Sequence, residues 1–146
     1  MTVQYAEQMT SALASARQLA IAQKSPELFT IHLLTALSAD PHTTFSELLT
    51  ANGVDLGAFH DFALARSQQV VPAGLSTDVR PSAENVALMQ QAVSEMRELG
   101  DTRLSSEHLL LAALKYRPGK GAWAIFKLSY PTVRASLDTI RRDTSV

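Results

Sequence analysis

Two acidic residues stand at the opening of one helix. Asp101 follows Gly100, and Glu107 lies in the string Ser105-Ser106-Glu107-His108 that opens an apolar run. Glu107 would occupy the first turn of a helix and face the positive end of its dipole, with Asp101 in the preceding loop. On the residues alone such a pair reads as capping the helix and ordering the loop. His32 and His108 each precede a Leu-Leu pair, and His42 and His60 complete the four histidines. No two of them share a helix at a spacing of four and the chain has no cysteine, so no metal site is expected. A thiol nucleophile and a disulfide framework are excluded with it. The serines form no Gly-x-Ser-x-Gly elbow, and Gly119-Lys120-Gly121 lacks the spacing that cradles a phosphate. Glu95 and Glu98 lie three apart and read as a solvated helix face. Arg141-Arg142 is too short for a basic tract and suits the final turn of a helix. Trp123 and Tyr130 flank a short helix and read as core packing. No catalytic residue and no cofactor emerges, so the chain is not expected to be an enzyme.

The elements that position these residues are helices. Met9, Leu13, Ala16 and Ala20 recur at helical spacing and predict a helix from about Val3 to Gln23. Thr30 reads as the N-cap of a helix carrying Leu33, Leu34 and Leu37, ended by Asp40-Pro41. Thr43 to Ala51 form a short helix, closed by Asn52-Gly53 in a left-handed cap. Asp55 caps a further helix with Leu56, Phe59, Phe62 and Ala63, fading near Gln69. Residues 70–81, with two prolines and a glycine, break the periodicity and read as a linker. Val70-Val71 could extend briefly, but no sheet is expected. Ser82 then caps a helix with Val86, Met89, Ala92 or Val93, Met96 and Leu99 inward, stopped by Gly100. Ser106 opens a helix with Leu109, Leu110, Ala113 and Leu114, ended by Pro118-Gly119. Ala122 to Leu128 and a segment from Pro131 with Val133, Leu137 and Ile140 complete the chain.

The two halves repeat this order. His32-Leu33-Leu34 corresponds to His108-Leu109-Leu110, and the same shift pairs Thr30 with Ser106, Leu13 with Met89, Ala16 with Ala92 and Ala20 with Met96. With a one-residue adjustment, Leu48-Leu49 pairs with Ile125-Phe126 and Gly53 with Tyr130. The expectation is an all-α fold, a pseudo-two-fold duplication of a four-helix repeat with about eight helices. Residues 1–146 form one domain: repeat one to about 69, the linker to about 81, repeat two from about 82. Neither half alone holds many large apolar residues, so the core is shared.

Composition narrows the partners. The 146 residues include 13 basic and 14 acidic side chains, a net charge of -1. Such a balance carries no global footprint for nucleic acid or an anionic membrane. No apolar run reaches the roughly 18 residues of a transmembrane helix, and the first twenty residues do not read as a secretory signal. A cytoplasmic, monomeric domain is expected.

The duplicated pattern resembles the N-terminal domain of the Clp ATPases, the ring-forming unfolding machines. The carrying residues are Tyr5-Ala6-Glu7 leading into Ala12-Leu13-Ala14-x-Ala16, Ile31-His32-Leu33-Leu34-x-Ala36-Leu37 and Asn52-Gly53-Val54-Asp55. The second half adds Pro81-Ser82, Gly100-Asp101 and Ser105-Ser106-Glu107-His108-Leu109-Leu110. The segment from Gln69 to Pro81-Ser82, with Asp78-Val79-Arg80, is similar to that of the ClpB disaggregase type. This resemblance implies a non-catalytic module that recruits unfolded or aggregated proteins, or adaptors, to a Clp ATPase ring. The alternative is a stand-alone accessory protein that docks on and regulates a Clp assembly. As substrate-binding residues the resemblance implies Asp101, Glu107, Tyr5, Glu7, Met89 and His108. A family threonine before the first helix is Ala6 here. In the ClpC branch a Glu before each His-Leu-Leu string helps hold phosphorylated arginine; Glu107 fits, but its counterpart is Ile31, which cannot bind a guanidinium. Of the ClpB-type groove positions Met89, Gln91, Glu95 and His108, only Met89 is apolar, which implies a displaced groove, more polar clients or a dedicated partner.

Overall fold

A computed structural model of the chain describes residues 3–69, 79–116 and 121–144. The first half runs β1 (Gln4–Tyr5), α1 (Glu7–Ala22), β2 (Glu27–Leu28), α2 (Thr30–Ala39), α3 (Thr44–Ala51) and α4 (Leu56–Ser67). The second runs β3 (Arg80–Pro81), α5 (Ala83–Glu98), β4 (Arg103–Leu104), α6 (Ser106–Tyr116), α7 (Ala122–Ile125) and α8 (Tyr130–Thr144). The eight helices bear out the expected class. Val70-Val71 and Pro118-Gly119 lie outside the described residues.

Helix starts follow side-chain chemistry. Ser82 accepts from the Asn85 N–H and Asp55 from the Ala58 N–H, both at 3.1 Å. Each satisfies a donor that has no partner in the helix, worth about 0.5–2 kcal/mol. α2 and α6 begin differently. Thr30 and Ser106 are the first helical residues, and Phe29 and Ser105 occupy the cap position. There the histidine three positions on reaches back: the Phe29 N–H donates to His32 Nδ1 at 3.0 Å, and the Ser105 N–H to His108 Nδ1 at 2.9 Å. This is the returning half of a capping box with imidazole in place of the usual carboxylate or amide.

Four strands of two residues each were not expected. Residues 3–5, read above as helix, are extended. β1 pairs in parallel with β4, Gln4 opposite Arg103; β2 pairs in parallel with β3, Glu27 opposite Arg80. Each pair joins the two halves. The duplication is exact in spacing through this region: Gln4 to Arg80, Glu7 to Ala83, Glu27 to Arg103 and Thr30 to Ser106 are all shifts of 76. That shift exchanges one strand pair with the other, the signature of a two-fold relation between the repeats. Two-residue strands carry too little alternation to announce themselves in a sequence.

Beyond α6 the expected alignment needs correction. Gly53, with φ +79°, closes α3: the Gly53 N–H bonds to Thr50 O and the Val54 N–H to Leu49 O. α7 closes the same way through Lys127, φ +55°, with Lys127 N–H on Ala124 O and Leu128 N–H on Trp123 O. Gly53 therefore corresponds to Lys127, not Tyr130, and Leu48-Leu49 to Ala122-Trp123, not Ile125-Phe126. The second repeat is shorter here where one extra residue was expected. Lys24 (φ +55°) and Gly100 (φ +73°) end α1 and α5 in the same conformation.

The buried side chains of both halves form one cluster. Phe59 of α4 lies 5.8 Å from Phe45 of α3, 6.0 Å from Trp123 of α7 and 5.2 Å from Phe126. Such ring pairs add about 0.5–1.5 kcal/mol each to the burial itself. α1 packs on α2 and α5 on α6, while α3 crosses the halves to pack on α6 and α8. Leu88 is buried on α5, whereas Val86, read as inward, is 44% exposed. Glu95, read as solvated, is 1% exposed. It is held by the Tyr130 hydroxyl at 2.9 Å and the Lys115 ammonium at 3.3 Å. Among the described residues no helix is long and apolar enough to cross a membrane.

Candidate functional site

Side chains alternate across a strand, and that rule builds the floor of the first site. The leading residues of the four strands, Gln4, Glu27, Arg80 and Arg103, take one side. The second residues, Tyr5, Leu28, Pro81 and Leu104, line a groove of about 400 Å³. Its walls come from α1, with Leu13, and α5, with Val86, Met89 and Val93. Both members of three equivalent pairs line it: Tyr5 with Pro81, Leu28 with Leu104, Leu13 with Met89. The groove therefore lies on the pseudo-two-fold axis, between the first helices of the two repeats. Tyr5 and Val86 are each 44% exposed and form part of its rim. The volume and apolar lining suit a few apolar side chains of a ligand. The groove is apolar although Gln91 and Glu95 are not, because α5 presents a different stripe: Glu95 turns inward to Tyr130 and Lys115.

A second cluster gathers the acidic pair. His108 is 1% exposed. Its Nδ1 accepts a backbone hydrogen bond, so its proton sits on Nε2, which donates to Asp101 Oδ2 at 2.7 Å. Arg141 of α8 grips the same carboxylate, Nη2 to Oδ2 at 2.6 Å and Nη1 to Oδ1 at 3.3 Å. Its Nη2 also lies 3.5 Å from Glu107 Oε2. Partial burial would raise the Asp101 carboxyl, but the hydrogen bonds from Arg141 and His108 outweigh it and hold the group below its ordinary value. Burial likewise opposes the charge on Arg141, and the Asp101 carboxylate reverses that and raises it. Asp101 and Glu107 thus already hold a guanidinium from their own chain.

The first repeat builds the same relay without charge. His32 Nε2 donates to Gln23 Oε1 at 3.1 Å, and Gln23 Nε2 donates to Ser67 of α4 at 2.9 Å. Burial lowers the His32 pKa. Each histidine caps its helix and ties the turn after α1 or α5 to the last helix of its repeat.

The structure therefore divides the expected site. Tyr5 and Met89 meet in the groove. Asp101, Glu107 and His108 meet in the Arg141 cluster. Glu7 is exposed in the first turn of α1, outside the groove lining. Sequence reasoning missed Val86, Val93, Pro81 and Arg141. Besides the resemblance, which implied Tyr5 and Met89, the pairing of Leu13 with Met89 pointed to the groove, since both flank the axis. Among the described residues no group of three His, Asp or Glu side chains could hold a metal.

The chain matches the family model of the Clp repeat (R) N-terminal domain over residues 4–125. It is 30% identical over 103 residues to the chaperone protein ClpB of Propionibacterium freudenreichii subsp. shermanii, a stretch covering 69% of this chain and 12% of that protein. The chain thus spans about an eighth of that relative's length. The crystal structure of the Hsp104 N-terminal domain from Candida albicans superposes with a TM-score of 0.80 at 18% identity, covering 94% of this chain and 91% of that one. The ClpV N-domain from Vibrio cholerae gives 0.73 at 25% identity, covering 85% and 74%. A complex of the ClpV N-domain with a VipB peptide gives 0.72 at 25% identity, covering 86% and 76%.

Proposed function

Because the chain belongs to the Clp repeat N-terminal domain family, we propose that it is the recruiting module of a ClpB-like ATPase machine. It captures apolar segments of unfolded, aggregated or adaptor proteins in the groove between α1 and α5. It does no chemistry of its own. Binding there raises the concentration of client near the ring that does the work.

The observation that carries this reading is the groove itself. Four strand residues and two helix faces expose Tyr5, Val86 and Met89 around an apolar trough on the axis between the repeats. A peptide-bound ClpV N-domain among its structural relatives supports the same use. Tyr5 and Met89 act as contact residues. Asp101, Glu107 and His108 act at a distance, by fixing α8 against α6. The apolar lining favours capture of clients over regulatory docking alone.

The test is a titration of the chain, labelled with nitrogen-15, with an unfolded apolar polypeptide such as reduced, carboxymethylated lactalbumin. Amide shifts are expected at Leu13, Val86, Met89 and Val93. Val86 is half exposed in the free chain, so Val86→Asp should leave the fold intact. Under a bound apolar segment the new carboxylate would be desolvated without a partner, weakening binding by more than about tenfold. Unchanged affinity of Val86→Asp, or shifts confined to other surfaces, would overturn the reading.

A further inference from the structure

The chain has no cysteine, so its four methionines are its only sulfur. Met1 lies outside the described residues, and Met9 and Met96 are buried in the core. Among the described methionines only Met89 is partly exposed, and its place is the groove. It stands on α5 with Val86 three positions before it and Val93 four positions after it. These share its face of the helix and line the same wall. The equivalent residue of the first repeat, Leu13, lines the groove from α1. Leucine fills such a place without redox chemistry. Met89 fills it with an apolar side chain that an oxidant can make polar.

A peroxide supplies the oxidant. The thioether sulfur attacks one oxygen of hydrogen peroxide with a lone pair, an S–O bond forms and the O–O bond breaks. The departing hydroxide takes the proton from the transferred oxygen and leaves as water. The sulfur is oxidised by two electrons and the peroxide is reduced by two. The sulfoxide so formed is polar and needs a hydrogen-bond donor. In the empty groove solvent supplies one. Under an apolar client solvent is excluded, and the flanking Val86, Val93 and Leu13 have no donor to replace it. Gln90, next in sequence, is turned about 100° further round the helix.

We propose that Met89 is a redox-sensitive modification site, and that its oxidation by peroxide to the sulfoxide releases apolar clients from the groove. The proposal rests on the groove as the client site. The change is reversible, because reductases return the sulfoxide to the thioether. It leaves the fold in place, since Met89 lies in the groove wall and not among the buried side chains that close the core. Oxidation of Met9 or Met96 would instead place a polar group in the core and destabilise the fold. Their burial keeps the effect of the oxidant at the groove.

In the test the full chain is treated with hydrogen peroxide, freed of it, and titrated with untreated carboxymethylated lactalbumin. Mass spectrometry of its peptides should find Met89 oxidised at least about fivefold faster than Met9 and Met96. The oxidised chain should bind at least about tenfold more weakly, with its melting temperature moved by less than about 2 °C. Methionine sulfoxide reductases of both stereospecific classes, supplied with dithiothreitol, should restore the affinity. Met89→Leu, measured against its own untreated affinity, should lose less than about twofold on the same treatment. That variant keeps Met1, and so separates the two sulfurs. Oxidation of Met9 or Met96 as fast as Met89, unchanged affinity of the oxidised chain, or an equal loss in Met89→Leu would each overturn the proposal. If the untreated chain binds no lactalbumin, the groove fails as the client site, and this regulation fails with it.

Discussion

Replacing His108 separates two jobs that one imidazole performs. Its Nδ1 caps α6 through the Ser105 N–H, and its Nε2–H anchors Asp101, which in turn holds Arg141. Glutamine at the same place keeps an acceptor for the cap, since it is a natural partner in a capping box. It does not keep the fixed reach to Asp101. His108→Gln should therefore cost one hydrogen bond to a charged group, about 1.5–3 kcal/mol. His108→Ala loses the cap as well, about 1 kcal/mol more. It also leaves a hole at a residue 1% exposed, for a total of about 3–5 kcal/mol. Against the roughly 7–15 kcal/mol expected of a domain this size, the alanine variant keeps a fold but melts far earlier. Urea unfolding followed by Trp123 emission and by far-ultraviolet circular dichroism measures both variants. Equal losses for Gln and Ala would refute the capping role, and a loss under about 1 kcal/mol for His108→Ala would refute the whole relay.

Four further outcomes follow from the structure. His32 has its pKa lowered by burial, so the unfolded chain binds its proton first; stability should fall as the pH drops below about 6.5, and His32→Gln should flatten that slope in pH-dependent melts. The Asp101 carboxyl is held low by Arg141 and His108; its contribution is present above about pH 4 and is lost as the pH falls through its folded value, a second phase that Asp101→Asn should remove. Lys127 sits at φ +55°, so Lys127→Gly should raise stability by about 0.5–1 kcal/mol, while Gly100→Ala, at φ +73° with open space around it, should lower it by about 1–2 kcal/mol in the same urea assay.

The duplication was legible because helix period, caps and a constant shift of 76 agree over most of the chain. Ser82 and Asp55 cap helices as their types predict, and Asn52-Gly53 closes α3. The shift failed where glycine stopped marking the turn: Lys127 adopts the left-handed conformation that Gly53 signals in the first repeat, so the alignment slid to Tyr130. Glu95 misled because a charged residue on a helix usually faces water; only the Tyr130 hydroxyl and Lys115, distant in sequence, make its burial tolerable. The groove was half legible. Leu13 and Met89 were matched as equivalents, but that equivalents face each other across an axis follows from the paired strands, whose two residues are too few to read. Arg141 was assigned to a helix dipole, and its grip on Asp101 spans 40 positions that local pattern does not reach.

The strand pairing has an evolutionary corollary. β1 and β2 find their partners only in the second half, and the two pairings are copies of each other. A seam of this kind is isologous, the surface that two identical subunits present to one another across a dyad. A lone ancestral repeat would have met its own copy through these strands, with a trough formed afresh at each encounter. Joining two such repeats in one chain would turn a concentration-dependent meeting into an intramolecular one. The joined copies need not stay alike, and here one relay runs through the Gln23 amide and the other through the Asp101–Arg141 salt bridge.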